Sequence, residues 1–327
     1  MTPAFRIEGE TLSVSGDMDS RLVSLTVTDE PGLSSDEVAV VLDNRGHHFA
    51  VPEKGVRLKV SLGYTGALIY QGLFIVHHVE TRGPNLQLRF RAGAADLTKE
   101  LKVKRSAAYV DMTIGEIVSE VAARHDLEPA VSPEISGLPA SEYPYEQVDQ
   151  TNENDLHFLR RLAVTHGCVF KPHDGRLIFF PEGDEKSVSG KALPAIEITQ
   201  SEVTSWGATA PDRTRYKSTS ATYVDPVTME RQEVTSGDGA PVFRITELQT
   251  SQEVAQRAVD AKLIALQRSD RRLTFRMPGR AELRAEAPVK FISSDALASG
   301  DWIVQRAVHE LSNAGFTSAV ELEAPAP

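Results

Sequence analysis

The length, composition and charge of the chain already exclude several classes of protein. With 327 residues, 41% hydrophobic and 25% charged, the chain has the composition of a globular protein of two or three domains. The net charge of −11 argues against a general nucleic-acid binder, because such proteins are usually basic. No apolar run reaches the roughly 18 residues of a transmembrane helix, and the N-terminus lacks the pattern of a signal peptide.

Residues 1–98 carry the pattern of a small antiparallel β-barrel or sandwich. The side chains of Val56, Leu58, Val60 and Leu62 alternate with other residues, which is typical of a strand that buries one face. Similar patterns lie at residues 5–14, 22–27, 38–42, 68–76 and 86–90. Short polar turns join these strands, and no helix is predicted among them, as expected for a small all-β domain.

Residues 99–194 change character and predict an α/β insertion region. Thr113 and Glu116 have the spacing of a capping box, and a helical apolar stripe runs from Ile114 to Ala122. A polar loop follows, punctuated by prolines as far as Pro144.

A second helix is predicted at about residues 152–166. Thr151 and Asn152 are candidate N-caps, because their short side chains can accept the free N–H groups of a first turn. Glu153 and Asp155 place negative charge where the helix dipole favours it. The apolar residues share one face: Leu156, Leu159, Leu162 and Ala163.

A β-hairpin is predicted at about residues 168–180, after Gly167 as a left-handed helix cap. Its turn signal is Asp174-Gly175. Cys168, the only cysteine, begins the first strand, so no disulfide can form within the chain. The lone thiol suits folding in a reducing cytoplasm, and we expect it to be a small buried apolar residue rather than a nucleophile.

Residues 195–327 return to β patterning and predict a second barrel that contains one helix, at about residues 251–268. Thr250 and Glu253 have capping-box spacing at the start of that helix. Residues 225–241 are predicted to be a polar segment with an exposed tip at 236–239. Strands are predicted at 196–206, 216–224, 273–277, 289–292, 302–308 and 316–322, with a hairpin turn at 313–315.

Several segments are more specific than their patterns. Residues 147–163 read Q-x-D-Q-T-N-E-N-D-L-x-F-L-x-R-L-A, and residues 174–179 read D-G-R-L-I-F. Residues 55–64 and 70–76 read G-x-x-L-K-V-x-L-G-Y and Y-x-G-x-F-x-V, and a hairpin closes the chain at 300–323. Together they resemble the phage late control protein D family. These are baseplate hub proteins of contractile tails, related to the hub part of VgrG in type VI secretion.

The resemblance implies a mainly β fold with α+β insertions, built from two tail-tube-like antiparallel β-barrels and a helix-and-hairpin middle region. The segment at 76–88 is a faint echo of the final hairpin, as a duplicated barrel would produce. The resemblance also implies a homotrimeric ring with pseudo-sixfold symmetry, which joins the hexameric tail tube to the trimeric central spike.

The implied partners are other copies of the chain, the tail tube protein, the central spike protein and other baseplate proteins, with the tape measure protein as an additional candidate. Specific nucleic-acid binding and membrane insertion are not expected. The implied location is a virion or tail-like particle assembled in the bacterial cytoplasm, either a DNA-carrying phage or a DNA-free bacteriocin.

No motif predicts catalysis, so we expect no catalytic residue, no cofactor-binding residue and no metal site. The sequence has no G-x-S-x-G, no P-loop and no G-x-G-x-x-G after a strand. The pairs His47-His48 and His77-His78 lack chelating spacing. His157 and His166 flank the second helix, where surface or capping roles are expected.

Two alternative functions stay open. A hub-associated peptidoglycan hydrolase would need only a pair of carboxylates, which are abundant. A carbohydrate-binding β module would use exposed aromatic residues, and the aromatic content of 6% gives it little support. The interface residues are unknown from the sequence. Trp206, Tyr216 and Tyr223 are candidates, with core packing as the alternative for each.

Overall fold

The computed structural model describes residues 2–9, 13–17, 21–30, 36–84, 86–94, 103–141, 147–181, 194–210, 216–225, 227–249, 251–268 and 270–325. The expectations for Leu12, Pro144 and Thr250 lie outside these residues. Strands dominate the part described, and none of its helices is long and apolar enough to cross a membrane.

The first part of the chain forms seven antiparallel strands in the order β2-β1-β5-β6-β7-β4-β3. Phe5 near one end of this order and Leu25 at the other belong to the same buried core, so the sheet curves round on itself as a barrel. The period of two predicted at residues 56–62 is confirmed, because Leu58, Val60 and Leu62 are all buried. The strands are β1 Pro3–Gly9, β2 Ser13–Asp17, β3 Leu22–Asp29, β4 Glu37–Asp43, β5 Arg57–Tyr64, β6 Ala67–Arg82 and β7 Gln87–Gly93.

The middle region contains two small sheets and three helices around a core of its own. The sheets have the orders β10-β8 and β11-β12-β9. The capping box at Thr113 is confirmed, and Asp174 and Gly175 both have positive φ in the predicted hairpin turn. The elements are β8 Lys104–Val110, α1 Ile114–Arg124, β9 Glu128–Val131, α2 Pro133–Ser136, β10 Gln147–Asn154, α3 Asp155–Thr165, β11 Cys168–His173 and β12 Arg176–Pro181.

The start of the second predicted helix was wrong by about one turn. Strand β10 continues to Asn154, because residues 147–150 and 153–154 pair with β8 on either side of a bulge. Asn154 is the N-cap, and its side-chain oxygen accepts a hydrogen bond of 2.8 Å from the His157 N–H. Asn152 has a φ of 47°, a left-handed conformation inside the bulge, which excludes it as a cap. Gly167, with a φ of 61°, follows the helix as predicted.

The second barrel has the strand order β14-β18-β21-β20-β19-β13. All neighbours are antiparallel except β19 and β13, which are parallel. Its buried core includes Phe275, Phe291 and Trp302. The strands are β13 Ile196–Thr199, β14 Ser205–Thr209, β18 Arg272–Pro278, β19 Pro288–Ile292, β20 Gly300–Ser312 and β21 Gly315–Glu323.

A separate layer is inserted between β14 and β18. It has a sheet in the order β16-β15-β17, covered by α4 Gln252–Arg268. The strands are β15 Ser218–Val224, β16 Arg231–Gly237 and β17 Val242–Gln249. The sequence predicted β15 and α4 but treated 225–241 as a polar segment. The predicted tip at 236–239 covers the last two residues of β16 and the start of the turn to β17. Ala221, Val234 and Val259 belong to the small core of this layer.

Candidate assembly interface

The two barrels are joined edge to edge within each chain. The second half of β20 pairs antiparallel with β3, from Ala307 opposite Asp29 to Ser312 opposite Ser24. The first half of β20 pairs with β19, while β21 follows most of its length on the other side. The result is one 13-stranded sheet that runs through both barrels.

Apolar side chains reinforce this junction. Phe316 of β21 and Leu311 of β20 are buried in the core of the first barrel rather than the second. The ring of Phe316 meets Tyr64 of β5 edge-on, with ring centroids 5.5 Å apart. The two barrels therefore share buried apolar surface as well as backbone hydrogen bonds, which favours a fixed arrangement.

Polar contacts cross the same junction. Arg306 Nε lies 2.6 Å from Glu30 Oε1, and the buried Gln71 amide donates to the Ala281 carbonyl at 3.1 Å. Arg284 donates to the carbonyl of Tyr70. The Arg306 pair is partly exposed and contributes little stability, whereas the buried Gln71 contact is costly to break.

Asp29 is the residue at which all three parts of the chain meet. It lies at the end of β3, accepts a hydrogen bond of 3.2 Å from the Ala285 backbone of the second barrel, and pairs with Lys171 of β11 at 2.5 Å. Lys171 also lies 2.6 Å from Asp36, which pairs with His173 Nδ1 at 2.8 Å. The middle hairpin is thus anchored by buried charges to the strands that form the barrel junction.

The two carboxylates of this cluster differ in proton affinity. Burial alone raises the pKa of Asp29, but the ammonium of Lys171 outweighs burial and holds the pKa at about 2. Burial and the negative charge of Asp29 raise the pKa of Asp36. The cluster keeps Lys171 charged, since the two carboxylates outweigh the effect of its burial and raise its pKa.

A second buried cluster lies inside the middle region around Asp155, whose side chain is fully buried. His125 Nε2 lies 2.8 Å from one carboxylate oxygen and the Gln150 amide lies 2.7 Å from the other. Arg105 and Arg124 each approach within 3.3 Å. The His125 ring is 5% exposed. These contacts connect β8, α1, β10 and α3. The sequence analysis treated Asp155 only as a partner of the helix dipole and did not predict these contacts.

His166 and Cys168 both lie among side chains and backbone of the same chain. His166 Nδ1 lies 3.1 Å from Arg257 of α4, and burial together with that guanidinium lowers the pKa of His166 to about 4. His166 therefore links α3 to α4 in its neutral form. Cys168 is buried, as predicted, and its thiol donates to the His166 carbonyl at 3.3 Å. Among the described residues, no group of three or more His, Cys, Asp or Glu side chains could hold a metal ion.

The aromatic residues considered as interface candidates pack within the chain. Trp206 on β14 is half-buried with its ring 6.3 Å from Phe291, and Tyr216 meets Phe243 edge-on at 5.2 Å. Tyr223 is buried and donates to the Gln232 side chain at 2.8 Å. Core packing, the alternative stated for each, describes these three residues better than an exposed interface.

A groove of about 500 Å³ separates the end of α3 from β17 and α4. Its walls carry Val164 and Cys168 on one side and Phe243, Ile245 and Lys262 on the other. No catalytic pair lines it, and the sequence contained no signal for it because its two walls are about 80 residues apart in the chain.

Comparison with known proteins decides the family. Residues 54–315 match the sequence model described as the phage tail baseplate hub (GPD). The chain belongs to this family. The family resemblance drawn from residues 147–163 and the hairpins is thereby confirmed, and the chain is a hub protein of a phage tail baseplate.

The hub protein is 29% identical to the probable baseplate hub protein of Escherichia phage P2, over 99% of this chain and 93% of that relative. Its fold matches the 43 kDa tail protein of prophage MuSo2 from Shewanella oneidensis with a TM-score of 0.72, 13% identity and 99% coverage of both chains. An Escherichia coli component of the type VI secretion system matches with a TM-score of 0.54 and 14% identity, over 97% of this chain and 76% of that one. At these identities the solved structures show a shared fold.

Proposed function

We propose that three copies of the hub protein form a ring that joins the hexameric tail tube to the trimeric central spike. The observation that carries the proposal is the fusion of two barrels through β20 and β3 in one chain. Three chains would present six barrels, which suits a sixfold tube, while the ring itself stays threefold and suits the spike. Closed cyclic symmetry is the usual arrangement of soluble homo-oligomers.

Differences between the two barrels fit a ring that is threefold overall but carries six barrels. In the second barrel, the connection between the neighbouring strands β14 and β18 contains the whole β15–α4 layer. In the first barrel, the connection between the neighbouring strands β3 and β4 spans only residues 30–36. Alternate barrels of the ring would therefore differ on the side that carries this layer. Such a ring can offer six similar strand surfaces in one direction and three distinct projections in another.

The proposed role is structural, without catalysis or a cofactor. The charged side chains of Asp36, Asp155 and Arg268, each deeply buried in the described chain, pair with other charged groups of the chain and hold its elements together. Incubation with purified peptidoglycan tests the alternative, and we expect no release of soluble fragments. The other proposed partners are the tail tube protein and neighbouring baseplate proteins.

The mass of the purified protein by light scattering, alone and mixed with the spike protein, tests the ring directly. We expect a mass of three chains, or three chains with three spike chains in the mixture. A monomer that binds neither spike nor tube protein would contradict the proposal. Lysis of cell wall by such a monomer would favour the hydrolase instead.

A further inference from the structure

The two barrels repeat one strand arrangement. Strands β3-β4-β7-β6-β5 of the first barrel correspond in order and direction to β14-β18-β21-β20-β19 of the second. In both, the first half of a long strand, β6 or β20, pairs with β5 or β19, and the second half pairs with β7 or β21. The faint sequence echo between residues 76–88 and the final hairpin is part of this repeat.

A β-bulge aligns the two repeats residue by residue. On β6, the extra residue lies between Val76 and His78, opposite Ala92 and Arg91 of β7. On β20, it lies between Val304 and Arg306, opposite Leu322 and Glu321 of β21. Because a bulge is a specific local feature rather than a general property of strands, its recurrence fixes the alignment. Val79 therefore corresponds to Ala307 and Glu80 to Val308.

The same alignment relates β14 to β3. In the first barrel, Thr28 of β3 pairs with Glu37 of β4, which in turn pairs with Gly93 of β7. In the second barrel, Thr209 of β14 pairs with Arg272 of β18, which in turn pairs with Glu323 of β21. Gly93 and Glu323 occupy the same place beside the bulge, opposite Ile75 and Ile303. Thr209 is thus the counterpart of Thr28, and Ser205 the counterpart of Ser24.

The repeats differ in what covers their edges. Beyond its bulge, β20 has β21 on one side and β3 on the other. Beyond its bulge, β6 has β7 on one side and no strand of the described chain on the other. Likewise, β3 lies between β4 and β20, whereas β14 pairs only with β18 among the described strands. Within the matched strands of the two repeats, two edges have no strand partner among the described residues: residues 77–82 of β6, and β14.

We infer that the open edge of β6 in one copy pairs antiparallel with β14 of a second copy, in the register of the β20–β3 junction. The internal pair Val308–Thr28 predicts Glu80 opposite Thr209 of the neighbour. The internal pair His309–Val27 predicts Thr81 opposite Ala208, and Glu310–Thr26 predicts Arg82 opposite Gly207. This inference rests on the proposed ring and names the surfaces that close it.

Within one described chain these two edges do not pair with each other. β14 and the second half of β6 lie seven strand intervals apart in the order β14-β18-β21-β20-β3-β4-β7-β6. A contact between different edges of two copies is heterologous, and it repeats from copy to copy until it closes a ring.

The side chains on β14 allow a strand to approach. Ser205, Gly207 and Thr209 are short and exposed, and a Cβ added at Gly207 would meet nothing nearer than Thr274 Oγ1 at 3.7 Å. The opposing edge carries Glu80 and Arg82, which pair with each other at 2.6 Å on the surface. Glu80 would lie two strands from the exposed Arg272 of the neighbour, roughly 10 Å between backbones, a span that two long side chains can cover.

Disulfide crosslinking tests both the edges and the register. In a Cys168→Ser background, Glu80→Cys combined with Thr209→Cys places two thiols on the solvent face, directly opposite in the proposed pairing. The Cα atoms of such a pair lie about 4.5 to 5.5 Å apart, within the range of a disulfide. The matched control combines Glu80→Cys with Ser205→Cys, because Ser205 lies on the same face of β14 but roughly 13 Å further along the strand.

After oxidation with copper phenanthroline, we expect the first pair to form covalent oligomers in high yield and each single variant to form none through this contact. Equal crosslinking of the Ser205 control would overturn the register. A three-chain mass under reducing conditions without crosslinking at Glu80 and Thr209 would overturn the edge pairing while leaving the ring proposal standing. A monomer by light scattering, with no crosslinking, would overturn both.

Discussion

Lys171 of the middle hairpin lies 2.5 Å from Asp29, the last residue of β3. The same aspartate accepts a hydrogen bond from Ala285 of the second barrel. A single ion pair thus joins three parts of the chain that are separated by more than 100 residues of sequence. Its side chains are only 10% and 13% exposed, so solvent screens their interaction weakly.

Replacing Lys171 with Met is expected to lower the free energy of unfolding by about 3 to 5 kcal/mol, because it leaves Asp29 and Asp36 buried without their shared cation. Urea denaturation of the purified variant measures the loss. Lys59→Met is the matched control, since Lys59 is exposed on β5. Similar losses of unfolding free energy in both variants would show that the buried ion pair stabilises the fold no more than an exposed lysine does. Adding Asp29→Asn to Lys171→Met should recover part of the stability.

The lowered pKa of Asp29 predicts how the stability of the protein depends on pH in the acid range. Its pKa falls from 3.8 to about 2 in the folded protein. A depressed folded pKa contributes stability that is present above pH 3.8 and is lost as the pH falls towards 2, here about 2 kcal/mol. The raised pKa of Asp36 acts in the opposite direction, because its charged form is disfavoured in the folded state at higher pH.

Asp29→Asn isolates the contribution of the Asp29 charge to stability. The difference in unfolding free energy between the wild type and Asp29→Asn should be largest above about pH 4 and should shrink towards pH 2. Denaturant titrations at a series of pH values measure it. A difference that stays constant over the whole range would contradict the role of the Asp29 charge.

The sequence predicted Thr151 or Asn152 as the N-cap of α3, whereas the N-cap in the structure is Asn154. Asn154→Ala removes the oxygen that accepts from the His157 N–H, and we expect a loss of about 1 kcal/mol. Thr151→Ala is the control, because Thr151 is exposed in β10 rather than at the helix start, and its change should stay within about 0.5 kcal/mol. Thermal unfolding of both variants decides the matter, and a larger loss at Thr151 would restore the original cap assignment.

Gly279→Ala is expected to disturb the barrel junction. A Cβ at this position would lie 2.1 Å from the Phe316 ring, which packs in the core of the first barrel. Overpacking of this kind costs about 1 to 3 kcal/mol. Gly137→Ala is the matched control, because no atom lies within 4 Å of its added Cβ and its φ of −88° suits alanine. Chemical denaturation compares the two, and equal stability would show that Phe316 moves aside without cost.

Local patterns predicted most of the elements. The alternation at residues 56–62, the capping box at Thr113 and the turn at Asp174-Gly175 each depend on neighbours in sequence, and each is confirmed. The errors came where distant partners compete with local preference. Thr151 and Asn152 resemble helix caps, but pairing with β8 keeps them in a strand until Asn154. Likewise, the sequences of β16 and β17 are mostly polar, because only the small core around β15 and α4 buries their side chains.

The sequence by itself determined the family, the mainly β character and the approximate position of the three longer helices, because these follow from motifs, periodicity and caps within short windows. Only the tertiary structure decided which strands lie at open edges, that β20 pairs with β3, and that Asp29 joins three parts of the chain. Strand neighbours and buried ion pairs link residues far apart in sequence. Their free energy depends on burial and on strand order, which no local pattern encodes.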